Sequence, residues 1–233
     1  MRIKRSSGLI LLGLILIVSA FGLTLWNMYD ENRAQASTDV IMAQLQDRIP
    51  DYHRSELTIP AETRNDDTTG LNDPAVLQPE EQVIPDYQLD PQREMTAKTV
   101  NGKPYIGVLS IPVLGLELPV IQTWSYANLR AAPCRYEGSV YTGNLVIAAH
   151  NYISHFGNLK RLQPGDPVIF TDMEGNKFHY EVALLETLEA TAVEEMTFGD
   201  WDLSLFTCTI GGKLRVTVRC VLVREEPNLS DLA

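Results

Sequence analysis

A chain of 233 residues, 45% hydrophobic and 8% aromatic, has room for one ordinary domain and additional segments. Its net charge of −11, with no dense basic stretch, argues against a nucleic-acid-binding face. Three cysteines, Cys134, Cys208 and Cys220, leave at least one thiol unpaired, and their count alone leaves a Cys134–Cys220 disulfide open.

Residues 1–7 carry Arg2, Lys4 and Arg5. Residues 8–28 are an almost unbroken apolar run, long enough to cross a bilayer as a helix. Trp26 and Tyr29 fall where an interfacial aromatic belt belongs, and Asp30 and Glu31 follow. The positive-inside rule then predicts a cytoplasmic N-terminus, residues 1–7, and an extracellular remainder on a single-pass cell-membrane anchor. The competing reading is a cleaved signal peptide, with Ala34-Gln35-Ala36 as its site. The apolar run exceeds a signal core of about 7–15 residues, and that site lies beyond it. The anchor is preferred.

Residues 29–100 read as an acidic, extended spacer. Residues 30–100 hold 15 acidic and 6 basic groups. Val40, Met42, Leu45 and Ile49 share a helix face, which predicts a short stalk helix before Pro50. From Asp51 to Glu94 prolines recur and apolar residues lack any period, so little surface is available for burial. A spacer of this kind predicts that deleting residues 31–95 leaves turnover unchanged. The alternative is an extension that docks onto the domain and regulates its site, with Val83-Ile84-Pro85-Asp86-Tyr87 lying in a groove as an extended peptide.

Residues 101–224 change to short strands. Ile106 to Ile111 and Leu116 to Thr123 are the first two, with Pro119 suggesting an edge or bulge. Ser125 is placed to cap a short helix. Gly143 to Ala149 is an apolar strand, and His155 to Leu162 has helical spacing. Val168 to Thr171 and Phe178 to Leu185 are strands joined by a turn at Asp172 to Asn176. Val193 to Met196 suggests a short helix, and residues 225–233 a frayed tail. Many short strands with few helices predict an all-β fold, a closed or nearly closed barrel.

The chemistry concentrates in two places. Leu203 to Cys208 alternates apolar and small polar residues, Gly211-Gly212 makes a hairpin turn, and Arg215 to Arg219 begins a second strand. Cys208 therefore ends one strand near Arg215 at the start of the next, and cross-strand neighbours lie about 5 Å apart. Arg219 points to the same face as Arg215. A guanidinium there suits a substrate carbonyl or a developing oxyanion. His150 follows the strand Leu145 to Ala149 and suits an acid or base beside a thiol. His155 and His179 read as solvent-facing. The competing view of Cys208 is a small buried hydrophobe.

These segments resemble the sortase family. Leu203-Ser204-Leu205-Phe206-Thr207-Cys208, followed by Arg215, is similar to its TLxTC signature with a downstream arginine. Leu145-Val146-Ile147-Ala148-Ala149-His150 is similar to its histidine strand. The resemblance covers residues 104–224. It implies an eight-stranded β-barrel with short helices: a cysteine transpeptidase of the Gram-positive surface, needing no cofactor. Cys208 matches the family's nucleophile, His150 its acid/base, Arg215 its substrate-binding arginine and Thr207 the substrate-orienting threonine. It implies an LPXTG-like sorting signal as donor and a peptidoglycan-precursor amine or pilin lysine as acceptor. Ser204 departs from the signature's first threonine. The Cys208–Arg215 connection is short, which implies a low wall on the acceptor side, and Arg219 is the fallback arginine. The short segment between Leu188 and Asp202 is unlike the long inserted helix of class B. Members of class A can bind calcium; Glu189, Glu194 and Glu195 read here as a solvated acidic loop. A cysteine hydrolase without an efficient acceptor, or a non-catalytic binding module, are the alternatives.

Overall fold

The computed structural model describes residues 3–50, 52 and 84–224. The expected tail at 225–233, and spacer residues 53–83, lie outside the described residues.

Helix α1, Ile3–Gln46, comes first. Its apolar stretch is not buried against any of the described residues. Its second half does the opposite. Ala34, Thr38, Ile41, Met42 and Leu45 recur at helical spacing and are buried, as is Ile49 just beyond, whereas Val40 is exposed. A short helix α2, Asp86–Leu89, precedes the strands.

The strands are β1 Lys98–Val100, β2 Lys103–Ile111, β3 Leu116–Ile121, β4 Cys134–Glu137, β5 Leu145–Ala149, β6 Pro167–Asp172, β7 Lys177–Glu189, β8 Leu203–Cys208 and β9 Leu214–Leu222. Two single-turn helices interrupt them: α3, Tyr126–Leu129, and α4, Val193–Thr197. Ser125 caps α3 by accepting the Asn128 amide at 3.0 Å. The order is β2-β3-β4-β5-β8-β9-β7-β6, and β6 returns to pair with β2. That closes an eight-stranded barrel, with β1 as an edge strand on β2. Asn101 and Gly102, both at positive φ, make the tight turn between β1 and β2. The Asp172 carboxylate organises the β6–β7 turn by accepting the amides of Glu174 and Asn176.

One core fills the barrel with Ile106, Leu109, Ile147, Phe170, Leu205 and Val218. A second lies outside it. Tyr105, Val108, Ile121, Cys134 and Ala148 face outward and are covered by Ile41, Met42 and Leu45 of α1. This cover explains why β2 is apolar on both faces rather than alternating. Pro119 sits inside β3, which pairs along its length with β2 but meets β4 only at Ile121, so its missing N–H breaks no ladder.

The described parts of the expected spacer pack on the barrel instead of extending from it. Besides α1, Tyr87 stacks on Tyr141 at 5.1 Å, Arg93 pairs with Glu174 at 2.8 Å and Met95 is buried. Aromatic and apolar residues spaced too widely to read as a period find partners on the folded barrel. Residues 155–162 form turns and a single 3-10 turn at Leu159–Arg161 rather than a helix. All three cysteines are free, with Cys134 and Cys220 buried in different cores.

Candidate active site

Strands β5 and β8 are parallel neighbours, with Ala149 beside Thr207. Their C-terminal ends emerge together and present His150 and Cys208 side by side. The Gly211-Gly212 turn, with φ of 87° and 72°, brings β9 back so that Arg215 pairs directly with Cys208. Gly is the residue that adopts such φ values without strain. The three side chains line one pocket of about 230 Å³, whose walls include Trp124, Tyr136 and Met196. A second concavity of about 510 Å³ lies on the other side of Cys208, lined by Asn151, Ile153, Lys160 and Ile210. The thiol is half-buried on the ridge between them.

The Thr207 hydroxyl donates to the Ala149 carbonyl at 2.8 Å, locking the strand end that carries His150. The His150 ring packs on Tyr152 at 4.9 Å, and Tyr152 on His155 at 5.5 Å. His155 is fully buried, not solvent-facing as expected. A tight turn, with the Phe156 amide donating to the His150 carbonyl, folds it underneath the loop. Among the described residues, neither of its ring nitrogens has a hydrogen-bond partner. Burial, helped by the charge of His150, lowers its pKa to about 4. His179 is exposed, as expected.

The two arginines divide. Arg215 donates to the carbonyls of Gly212 and Leu214 at 3.0 and 3.1 Å and keeps its place at the pocket. Arg219 is buried. It donates to Glu186 at 2.7 Å, to the Ser204 hydroxyl and the Met196 carbonyl at 2.8 Å, and to the Glu195 carbonyl. It fastens α4 over the sheet and is spent on that task, so the fallback role is closed to it. Ser204, the departure from the signature, is one of its acceptors. Burial pushes the Cys134 and Cys220 thiols up to about 12, which keeps them protonated and unreactive. Among the described residues, no three His, Cys, Asp or Glu side chains gather as metal ligands. Trp124, Tyr136 and Met196 were not legible as site residues, because apolar walls carry no motif.

The geometry thus joins a half-exposed thiol, an imidazole and a guanidinium at one end of a barrel. A family model described as the sortase domain matches residues 109–223, the span that builds this end. The chain belongs to the sortase family. It is 30% identical to Sortase A of Bacillus anthracis over 138 residues, 57% of this chain and 60% of that protein. The chain therefore matches about three-fifths of that relative's length. Among solved structures, it is similar to Sortase A from Corynebacterium diphtheriae, with 26% identity over 54% of this chain and 64% of that one, at a TM-score of 0.49. It is also similar to a Clostridium perfringens Sortase D5 transpeptidase, at 23% identity over 55% and 83% of the two chains and a TM-score of 0.47. The eight-stranded barrel expected from the sequence is the sortase fold.

Proposed function

We propose that this sortase is a membrane-anchored cysteine transpeptidase using Cys208, His150 and Arg215. The observation that carries the reading is that these three side chains line one pocket at the joined ends of β5, β8 and β9. The Cys208 sulfur attacks the carbonyl carbon of a Thr–Gly bond in an LPXTG-like sorting signal. The Arg215 guanidinium hydrogen-bonds the carbonyl oxygen as negative charge builds there. His150 gives its proton to the departing glycine nitrogen as the C–N bond breaks, leaving a Cys208 thioester. An amine from a peptidoglycan precursor or a pilin lysine then attacks the thioester. Its proton passes to His150, and the thiolate leaves. Thr207 supports the site through the Ala149 carbonyl. No cofactor takes part in this scheme.

The anchor is the apolar stretch of α1, with residues 1–7 on the cytoplasmic side and the barrel outside. The reading is favoured over signal cleavage because the apolar run is longer than a signal core and continues without a break into the docked half of α1.

Mass spectrometry of the full chain with LPXTG-like peptides tests the reaction. An acyl adduct on Cys208 that moves to an added amine is expected, and Cys208→Ala forms none. An adduct released only to water reassigns the protein as a hydrolase. With no peptide present, one thiol of the three, Cys208, is expected to alkylate at neutral pH. A Cys208 that resists alkylation and forms no adduct leaves the binding module.

A further inference from the structure

The anchor and the active site meet. The backbone amide of Ile153, three residues beyond His150, donates to the Glu31 carboxylate at 2.8 Å. Glu31 is two residues beyond Tyr29, where the apolar run ends. At 1.5 Å of rise per residue, the His150 loop lies within about 3–5 Å, along the helix axis, of the expected bilayer edge. From there α1 runs down the barrel wall to Gln46, and Pro50 just beyond it reaches Gly175 in the β6–β7 turn, at the opposite end. The barrel hangs beside the helix with its catalytic end toward the bilayer.

On the side of the larger concavity, two large apolar side chains protrude at that end, while Tyr126 and Val193 are exposed on the side of the smaller pocket. Ile153 is 64% exposed, and Ile210, at the tip of the β8–β9 turn, is 95% exposed. Both line the larger concavity beside Cys208. Their loops are also unlike the rest of this acidic chain. Residues 150–161 and 208–215 carry Lys160, Arg161, Lys213 and Arg215 and no carboxylate. The opposite wall, on and around α4, carries Glu189, Glu194 and Glu195. Exposed isoleucines flanked by lysines suit the interface of an anionic bilayer, where apolar tips enter the acyl boundary and cations meet headgroups.

We propose that the His150 loop and the β8–β9 turn rest on the lipid headgroup region, so that the larger concavity beside Cys208 opens at the bilayer surface. The inference rests on α1 spanning that bilayer. The α4 wall faces water, which gives the cleft one lipid-side rim and one aqueous rim. Whatever reaches the thioester from the larger concavity then arrives along the membrane interface rather than from bulk solvent.

Nitroxide depth measurements test this on the full chain in vesicles of phosphatidylcholine and phosphatidylglycerol. Labels are placed by Ile153→Cys, Ile210→Cys, Leu16→Cys and Leu89→Cys, each in a Cys208→Ser background. The buried Cys134 and Cys220 thiols stay unlabelled. Labels at 153, 210 and 16 are expected to collide more with oxygen than with a water-soluble nickel chelate. The label at 89, exposed near the other end of the barrel, is expected to do the reverse. Labels at 153 and 210 that read as water while 16 reads as lipid overturn the docking and leave the anchor intact. A label at 16 that reads as water overturns both.

Discussion

Arg215 and Arg219 lie four residues apart on one strand face, yet their surroundings assign them different work. Arg219 satisfies a carboxylate, a hydroxyl and two carbonyls at once in a buried position. Arg219→Met strands those acceptors and is expected to destabilise the barrel by about 3 kcal/mol, read as a lower urea midpoint. Arg215→Met loses only two carbonyl contacts near the surface of a turn. It is expected to shift stability by less than about 1 kcal/mol while lowering acyl transfer about a hundredfold. Equal stability losses for the two variants would overturn the division. His155 makes a separate prediction. Its folded pKa, about 4, lies below the ordinary value of 6.5. Between those values the unfolded chain binds the proton and the folded one does not, so stability falls as pH falls. The loss is at most about 1.4 kcal/mol per pH unit. The Tm is expected to drop between pH 6.5 and 5, and His155→Phe, which abandons no hydrogen bond among the described residues, is expected to flatten that slope. An unchanged slope would mean that other groups set the acid limit. The meeting of Cys208, His150 and Arg215 at one pocket was legible in the sequence because each sits at the end of a recognisable strand. The burial of His155 was not, since it depends on a turn of irregular backbone with no periodic signal.

At the level of elements, barrel closure depends on one close approach. Gly107 lies at the register shift in β2, where β6 crosses. A Cβ there would sit 2.4 Å from the Thr171 carbonyl oxygen and 2.5 Å from the Phe170 ring. Neither backbone nor a buried ring can yield cheaply. Gly107→Ala is expected to cost about 1–3 kcal/mol. The loss should appear first at the seam, as faster hydrogen exchange of the β6 amides than of the β8 amides. Uniform acceleration would indicate that the seam is no weaker than the rest. Sequence reasoning found β2, β6 and the β8–β9 hairpin because each is short, β-branched or apolar and bounded by turn residues. It began the domain at residue 101 and passed over β1, although Asn101-Gly102 is a strong hairpin signal. A three-residue strand adds too little apolar pattern to stand out. Closure itself is a long-range pairing of β2 with β6, and no local pattern specifies it.

For the molecule as a whole, the helix that anchors the chain is also part of its fold. The sequence shows an apolar run followed by an acidic stretch, which reads as anchor and spacer. The face formed by Ala34, Thr38, Ile41, Met42 and Leu45 becomes intelligible only beside the outward-facing Tyr105, Val108 and Ile121 that it covers. This makes the deletion experiment informative. A featureless spacer predicts that removing residues 31–95 changes nothing. The structure predicts that a fragment beginning at residue 84 exposes the outer core. Each of Ile41, Met42, Leu45 and Ile49 contributes about 1.5–3 kcal/mol of burial, offset in part by the entropy of ordering the helix. The shorter fragment also loses the Glu31 carboxylate that holds the Ile153 amide beside His150. The urea midpoint of residues 84–233 is therefore expected to fall below that of residues 31–233. Its acyl-transfer rate is expected to fall under conditions where both fragments are folded. Matching midpoints would mean that the docked half of α1 adds no net stability. Matching rates with unequal midpoints would confine its role to packing and free the His150 loop from its influence.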